Sequence, residues 1–186
     1  MSSSFGYLIP KKTFEIGQFK KLITSILEGQ EIIDGYYEEE HQWFAAGKNS
    51  HSIFKENNDD ANPAFEYVEI HDTVNNRIIP DCTEESYGAK CNNCKTDLDD
   101  SLSNVLMELA DVESESGIET DMTHLTIECQ NCHHTNKIID INFDLSVRFK
   151  NQFVCFVEID SEFNEEKIND IANKLDCTFE IFYGRL

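Results

Sequence analysis

The sequence predicts an α+β fold: a mainly antiparallel sheet with helices on one face, carrying an insert in the middle of the chain. Three observations lead there. Short apolar runs with strand-like alternation dominate both ends, three stretches repeat apolar residues at helical spacing, and the centre holds two Cys-x-x-Cys pairs, Cys91-Asn-Asn-Cys94 and Cys129-Gln-Asn-Cys132. The body is accordingly assigned to residues 1–81 and 144–186, and the insert to 82–143. A chain of 186 residues with 40% hydrophobic content is long enough to bury a core in one such body.

Phe5 to Ile9 is a short apolar run closed by Pro10, the pattern of a first strand and its turn. Ile16, Phe19, Leu22, Ile23, Ile26 and Leu27 then recur at steps of three and four, which predicts a core-facing helix, with Thr13 as its cap and Gly29 just beyond its end. Between Glu31 and Lys55 the pattern shortens to Ile32-Ile33, Tyr36-Tyr37, Trp43 to Ala46 and Ile53-Phe54, separated by Gly and acidic turns, as in a meander. Asn57 to Pro63 is a run of turn formers. Phe65 to Ile70 alternates again, and Arg77-Ile-Ile-Pro80 reads as a further short extended piece, because proline forces its predecessor out of helical geometry.

In the insert, Leu102, Val105, Leu106 and Leu109 mark a short helix with Asp99, Asp100 and Ser101 as candidate caps. Val112 to Asp121 has no period and reads as an exposed acidic loop. Leu125 to Cys129 and Asn136 to Phe143 are read as two strands with the second cysteine pair at their tip. Phe153 to Ile159 is nearly continuously apolar, a strand buried on both faces. Ile168, Ile171 and Leu175 follow at helical spacing, with Asn164 as cap and Glu165 and Glu166 in the electropositive first turn. Thr178 to Tyr183 is a closing strand. The ends thus read β-α and β-α-β, a layout resembling the ferredoxin-like arrangement interrupted by an insert.

Cys91, Cys94, Cys129 and Cys132 are the candidate metal ligands, because each Cys-x-x-Cys turn brings two sulfurs together and four thiolates close a tetrahedral shell. The pairs are separated by 34 residues, longer than the roughly 15 to 20 of a compact four-cysteine site, so the closed loop must hold structure of its own. The paired turns resemble zinc ribbons, which implies a structural Zn²⁺, with iron as the alternative for the same ligands. Zinc-ribbon turns commonly place glycine after the second cysteine, whereas Lys95 and His133 stand there in this chain. Cys129 to His133 also fits the Cys-x-x-Cys-His pattern of haem attachment, but haem would leave Cys91 and Cys94 unexplained. His133 and His134 read as exposed turn residues. Of the remaining cysteines, Cys155 and Cys177 lie in apolar segments as small hydrophobes, and Cys82 is flanked by acids that disfavour a thiolate.

A filled sulfur shell leaves no open coordination position, so the expected metal is not catalytic, and no catalytic residues are assigned. Gly-x-Ser-x-Gly, Walker, His-Glu-x-x-His and Gly-x-Gly-x-x-Gly motifs are absent from the sequence. His71-Asp72 and His41 near Trp43 are the combinations to inspect. Thirty-six acidic residues against fifteen basic give a formal charge of −21, and residues 96–136 hold ten carboxylates and no Lys or Arg. Such a surface repels phosphate and disfavours nucleic acid, while it attracts a basic protein. The expected class is a non-enzymatic acidic interaction protein of inhibitor or immunity type. The alternative is a zinc-ribbon regulator or nucleic-acid-binding module that uses the Lys11, Lys12, Lys20 and Lys21 patch. The N-terminus lacks a basic, apolar leader and nothing later reaches a membrane span, so a soluble cytoplasmic chain is expected.

Overall fold

Alternation at the start of the chain becomes the strand around which the sheet is laid. The computed structural model describes residues 4–55, 62–80, 87–144 and 147–185. Its elements are β1 (Ser4–Pro10), α1 (Gln18–Gly29), β2 (Ile33–Glu38), β3 (Trp43–Ala46), β4 (Tyr67–Pro80), β5 (Ala89–Lys90), α2 (Asp99–Ser116), β6 (Thr126–Glu128), β7 (Thr135–Lys137), β8 (Asn142–Phe143), β9 (Val147–Val157), α3 (Glu165–Lys174) and β10 (Phe179–Arg185). Six strands make one sheet in the order β10-β1-β9-β4-β3-β2, and β1 is antiparallel to both of its neighbours. The fold is α+β with a mainly antiparallel sheet, as the sequence predicts. Within it β1, α1, β4, β9, α3 and β10 follow the β-α-β-β-α-β chain order, and the β2–β3 hairpin extends the sheet at one edge.

The chain divides into two compact units, Met1–Thr73 with Gln152–Leu186 and Val74–Asn151. In the first, Phe19, Ile23 and Leu27 of α1 and Ile168 and Ile171 of α3 join Leu8, Phe44, Val68, Val154 and Phe156 in one buried cluster. Leu8 opposes Val154 across the β1–β9 pair and Phe44 opposes Val68 across β3–β4, so both helices cover the same face of the sheet. Gln152 to Val157 is buried at every position, as the continuous apolar run of β9 requires. Asn164 caps α3 by accepting from the amides of Glu166 and Lys167.

Several local expectations are corrected. Thr13 does not cap α1: the helix begins after Gly17, which is left-handed (φ 80°) and gives no side-chain cap. Asp72 of β4 supplies the missing acceptor, its Oδ2 taking the Lys20 amide at 2.8 Å. Ile16 precedes the helix and is 51% exposed, and Leu22 is 38% exposed because the buried stripe of α1 is Phe19, Ile23 and Leu27. Ser50 to Ile53 is a 3₁₀ turn, and Phe54 forms an isolated bridge to Phe163. Phe65–Ile70 and Arg77–Pro80 belong together, since β4 runs unbroken from Tyr67 to Pro80. Of the Asn57 to Pro63 loop, residues 57–61 lie outside the described residues, as do Cys82, Glu84 and Glu85.

Gly47 follows β3, and its amide donates to Ile32 O at 2.8 Å. A Cβ added there would lie 2.3 Å from the carbonyl oxygen of Glu31, so backbone has to move to admit one. Gly47→Ala is expected to destabilise the first unit by about 2–3 kcal/mol, checked by urea unfolding. A loss under about 0.5 kcal/mol would show that the turn relaxes freely.

Candidate metal centre

The second unit is built on two small antiparallel pairs, β5 with β8 and β6 with β7, under one face of α2. Ala89, Leu98, Leu102, Ile127, Ile138 and Ile141 form its buried cluster together with Cys91 and Cys129, both of which have no exposed surface. The expected strand over 136–143 is interrupted: Ile138 to Asp140 makes a 3₁₀ turn that separates β7 from β8. That turn brings both Ile138 and Ile141 into one buried cluster, whereas a continuous strand would point them to opposite faces.

The two cysteine turns share one hydrogen-bond pattern. Lys95 N donates to Cys91 O (3.0 Å) and His133 N to Cys129 O (2.8 Å); Cys91 N donates to Thr96 O (2.9 Å) and Cys129 N to His134 O (3.0 Å). Lys95 and His133 are both left-handed, at φ 63° and 55°. The chain thus takes the glycine geometry of such a turn without glycine, at about 1 kcal/mol each. His133 turns outward, its Nδ1 2.8 Å from Glu128 Oε1, and His134 is exposed, so neither ring joins the sulfurs.

The four Sγ atoms lie within 4.8 Å of one another, with Cys91–Cys132 at 3.7 Å and Cys94–Cys129 at 3.6 Å. Disulfide bonding requires about 2.05 Å, and the six described cysteines are free thiols. A tetrahedron with metal–sulfur bonds near 2.3 Å has edges of about 3.8 Å, so the donor set fits one ion at its centre. The four cysteines sequence reasoning singled out are brought together in a cluster that could bind a metal ion.

The surroundings favour the thiolate at two of the four sulfurs, Cys91 and Cys94. Thr96 lowers Cys94 through its hydroxyl, 3.1 Å away, and its amide, and Asn131 Nδ2 adds a contact at 3.6 Å; together they bring its pKa down to about 5. At Cys91 burial acts upward, but the amides of Cys94 and Asn93 and the Asn136 side chain win and lower it. At Cys129 the Cys132 amide acts downward, yet burial and the neighbouring sulfurs push the thiol up to about 11. Four negative sulfurs this close repel one another unless a cation stands between them. Uptake of a metal would accordingly displace protons from the cluster.

Asn136 is the residue sequence reasoning missed. It is 1% exposed; its Nδ2 donates to Cys91 Sγ (3.7 Å), Ile127 O (3.4 Å) and His134 O (3.1 Å), and its Oδ1 accepts from Asn92 N (2.9 Å). One buried amide therefore ties the two turns together. Its signal was a polar residue at the inward position of the Thr135-Asn136-Lys137 strand.

The acidic segment between the turns is more ordered than its composition suggests. α2 continues to Ser116 and ends at left-handed Gly117 (φ 66°), so the loop expected from Val112 begins only there. Arg77 Nη1 grips both oxygens of half-buried Glu113 at 2.6 and 2.8 Å, and Glu113 Oε1 also accepts from Thr120 N at 2.7 Å. Asp121 Oδ1 accepts from the amides of Asn76 and Thr123, both at 3.2 Å. Although burial acts upward on Asp121, the hydroxyl and amide of Thr123 and the Asn76 amide hold its carboxyl below the usual range. Glu113 and Asp121 are thus structural, while Asp100, Glu108, Asp111, Glu115 and Glu119 are exposed.

The other combinations singled out from the sequence fall in the first unit. His71 is buried and stacked on Phe153 with centroids 4.8 Å apart, and Asp72 is bound to Lys20 N and Gln152, so the two serve packing and backbone satisfaction separately. Lys12 pairs with Asp176 at 3.1 Å and Lys20 Nζ donates to Gln42 Oε1 at 2.7 Å. Cys155 is buried and Cys177 packs against the core of the first unit. Among the described residues no helix is long and apolar enough to cross a membrane. No family model, no curated protein and no solved structure matches the chain.

Proposed function

We propose that Cys91, Cys94, Cys129 and Cys132 hold a structural Zn²⁺ in a zinc-ribbon arrangement. We further read the chain as a non-enzymatic acidic interaction module, of inhibitor or immunity type, that binds a basic protein. The observation that carries this reading is the distribution of charge: a formal −21, with ten carboxylates and no cation from residue 96 to 136. The clamp supports it by closing the loop that presents these carboxylates. A sulfur-only shell would leave no place for substrate or water, so the metal's contribution is to folding. Phosphate is repelled by the same field that attracts cationic protein.

The test uses a basic partner recovered with the full chain and then purified. Association of the pair should slow at least about tenfold between low and physiological salt, as for steered encounters. Reversing Asp100, Glu108, Asp111 and Glu115 to Lys, while sparing structural Glu113 and Asp121, should slow it similarly. A partner that is not basic, or an association rate indifferent to salt, would remove the reading. Metal analysis of protein purified without added metal distinguishes zinc from iron.

A further inference from the structure

The β2–β3 hairpin is acidic, as α2 is, but its carboxylates are interleaved with rings. Phe44 and Val68 point into the core, so their neighbours Trp43 and Tyr67 point to the face that α1 and α3 leave uncovered. There four rings stack in a row. His41 lies on Trp43 (centroids 4.7 Å, 27°), Trp43 on Tyr67 (4.3 Å, 10°) and Tyr67 on Tyr37 (5.4 Å, 25°).

The middle of the row is half-buried and its ends are open: Tyr37 is 49% exposed and the His41 side chain 53%. Each open end carries a carboxylate. Tyr37 donates its hydroxyl to Glu66 Oε1 at 2.9 Å, and His41 Nε2 lies 3.9 Å from Glu38 Oε1. Glu39 and Glu40 are exposed in the adjoining turn, and residues 33–46 contain no Lys or Arg.

A ring face beside a carboxylate is the pair of contacts a guanidinium takes, one by stacking and one by charge-assisted hydrogen bonds. Nucleobases also stack on such rows, but their phosphates would meet four carboxylates within the turn and its flanks. Addition of a further strand is blocked as well, because β2 pairs with β3 through two register shifts and presents acidic residues along its edge.

We propose that the two ends of this row, Tyr37 with Glu66 and His41 with Glu38, receive arginine side chains of the basic partner. The inference rests on the basic-partner reading and adds to it a surface in the first unit that selects arginine over lysine.

Trp43 is the only tryptophan, so its fluorescence reports on the row directly. The probe is an eight-residue peptide of alternating Arg and Thr, titrated into the full chain at low salt. Saturable change in Trp43 emission is expected, with affinity about fivefold weaker for the matching Lys-Thr peptide, since lysine keeps the charge but not the planar stack. Tyr37→Ala combined with Glu38→Gln, both at exposed positions, should weaken Arg-Thr binding at least about tenfold without changing Tm. Asp100→Asn, Glu108→Gln, Asp111→Asn and Glu115→Gln together should leave it within about threefold. The inference is overturned by equal affinity for the two peptides, or by a dT12 oligonucleotide competing for the row. If the helix variant loses the peptide while the hairpin variant keeps it, this surface is wrong and the basic-partner reading stands. A wild-type chain that ignores both peptides, and whose partner proves acidic or neutral, ends both.

Discussion

Cys132→Ser is expected to reduce bound metal from one equivalent to below about a tenth and to unfold the Val74–Asn151 unit, because a structural zinc shell contributes on the order of 10 kcal/mol to the fold that holds it. Cys132 is partly exposed, so serine adds no buried polar atom, and the loss can be assigned to the ligand. Cys94→Ser should behave alike. The two substitutions remove one sulfur from each of the close pairs, Cys91–Cys132 at 3.7 Å and Cys94–Cys129 at 3.6 Å. The readouts are metal analysis of the purified protein and amide exchange, in which protection should vanish from β6, β7 and α2 while persisting in β1, β9 and α3. His133→Ala provides the control, since its ring turns away to Glu128 and metal content should not change. Full metal occupancy in either serine variant would refute the four-cysteine assignment.

Gln152→Ala is expected to destabilise the first unit by about 3–5 kcal/mol and lower its Tm by roughly 10 °C. Gln152 is 4% exposed and binds Phe14 as a neighbouring strand would, accepting from its amide at 3.0 Å and donating to its carbonyl at 3.1 Å. The same Nε2 donates to Asp72 Oδ1 at 2.8 Å, while Asp72 Oδ2 holds the first turn of α1 through Lys20 N at 2.8 Å. Removing the amide strands three buried partners at once. Gln152→Glu makes the argument pH-dependent. A second buried carboxyl beside Asp72 would have its pKa raised, so the deficit relative to wild type should be small in acid and grow as pH rises past the unfolded value of about 4.3. Equilibrium urea unfolding at pH 4.5 and 7.5 measures both variants, and a deficit for the alanine variant below about 1 kcal/mol would show the network to be dispensable.

The features legible in the sequence are those set by local pattern or by covalent spacing. The four cysteines, the alternation of β1, the apolar run of β9 and the capped start of α3 each carry their signal within a few residues. What the sequence hid depends on partners far along the chain. Asp72 reaches α1 from fifty-two residues away, so Thr13 looked like the only available cap. Glu113 and Asp121 read as part of a solvated acidic loop because their partners, Arg77 and the Asn76 amide, lie in another element. Asn136 was passed over because an inward amide between two exposed residues leaves no periodic trace. The hairpin row was visible only as scattered aromatics, since stacking order is decided by register across three strands.

The placement of β1 orders events during synthesis. Of the six strands of the sheet this one is made first, yet its two neighbours, β9 and β10, are made last. The sheet therefore cannot close on the ribosome until residues beyond 150 have emerged. Val74–Asn151, by contrast, is continuous in sequence and is complete before β10, the last strand of the sheet, is made. While the nascent first half waits, the inserted unit is already contiguous, and on the reading proposed above capture of metal by its four thiols would fix it. The apolar faces of β1 and α1 meanwhile wait for strands that arrive late, a long-range closure that is intrinsically slow.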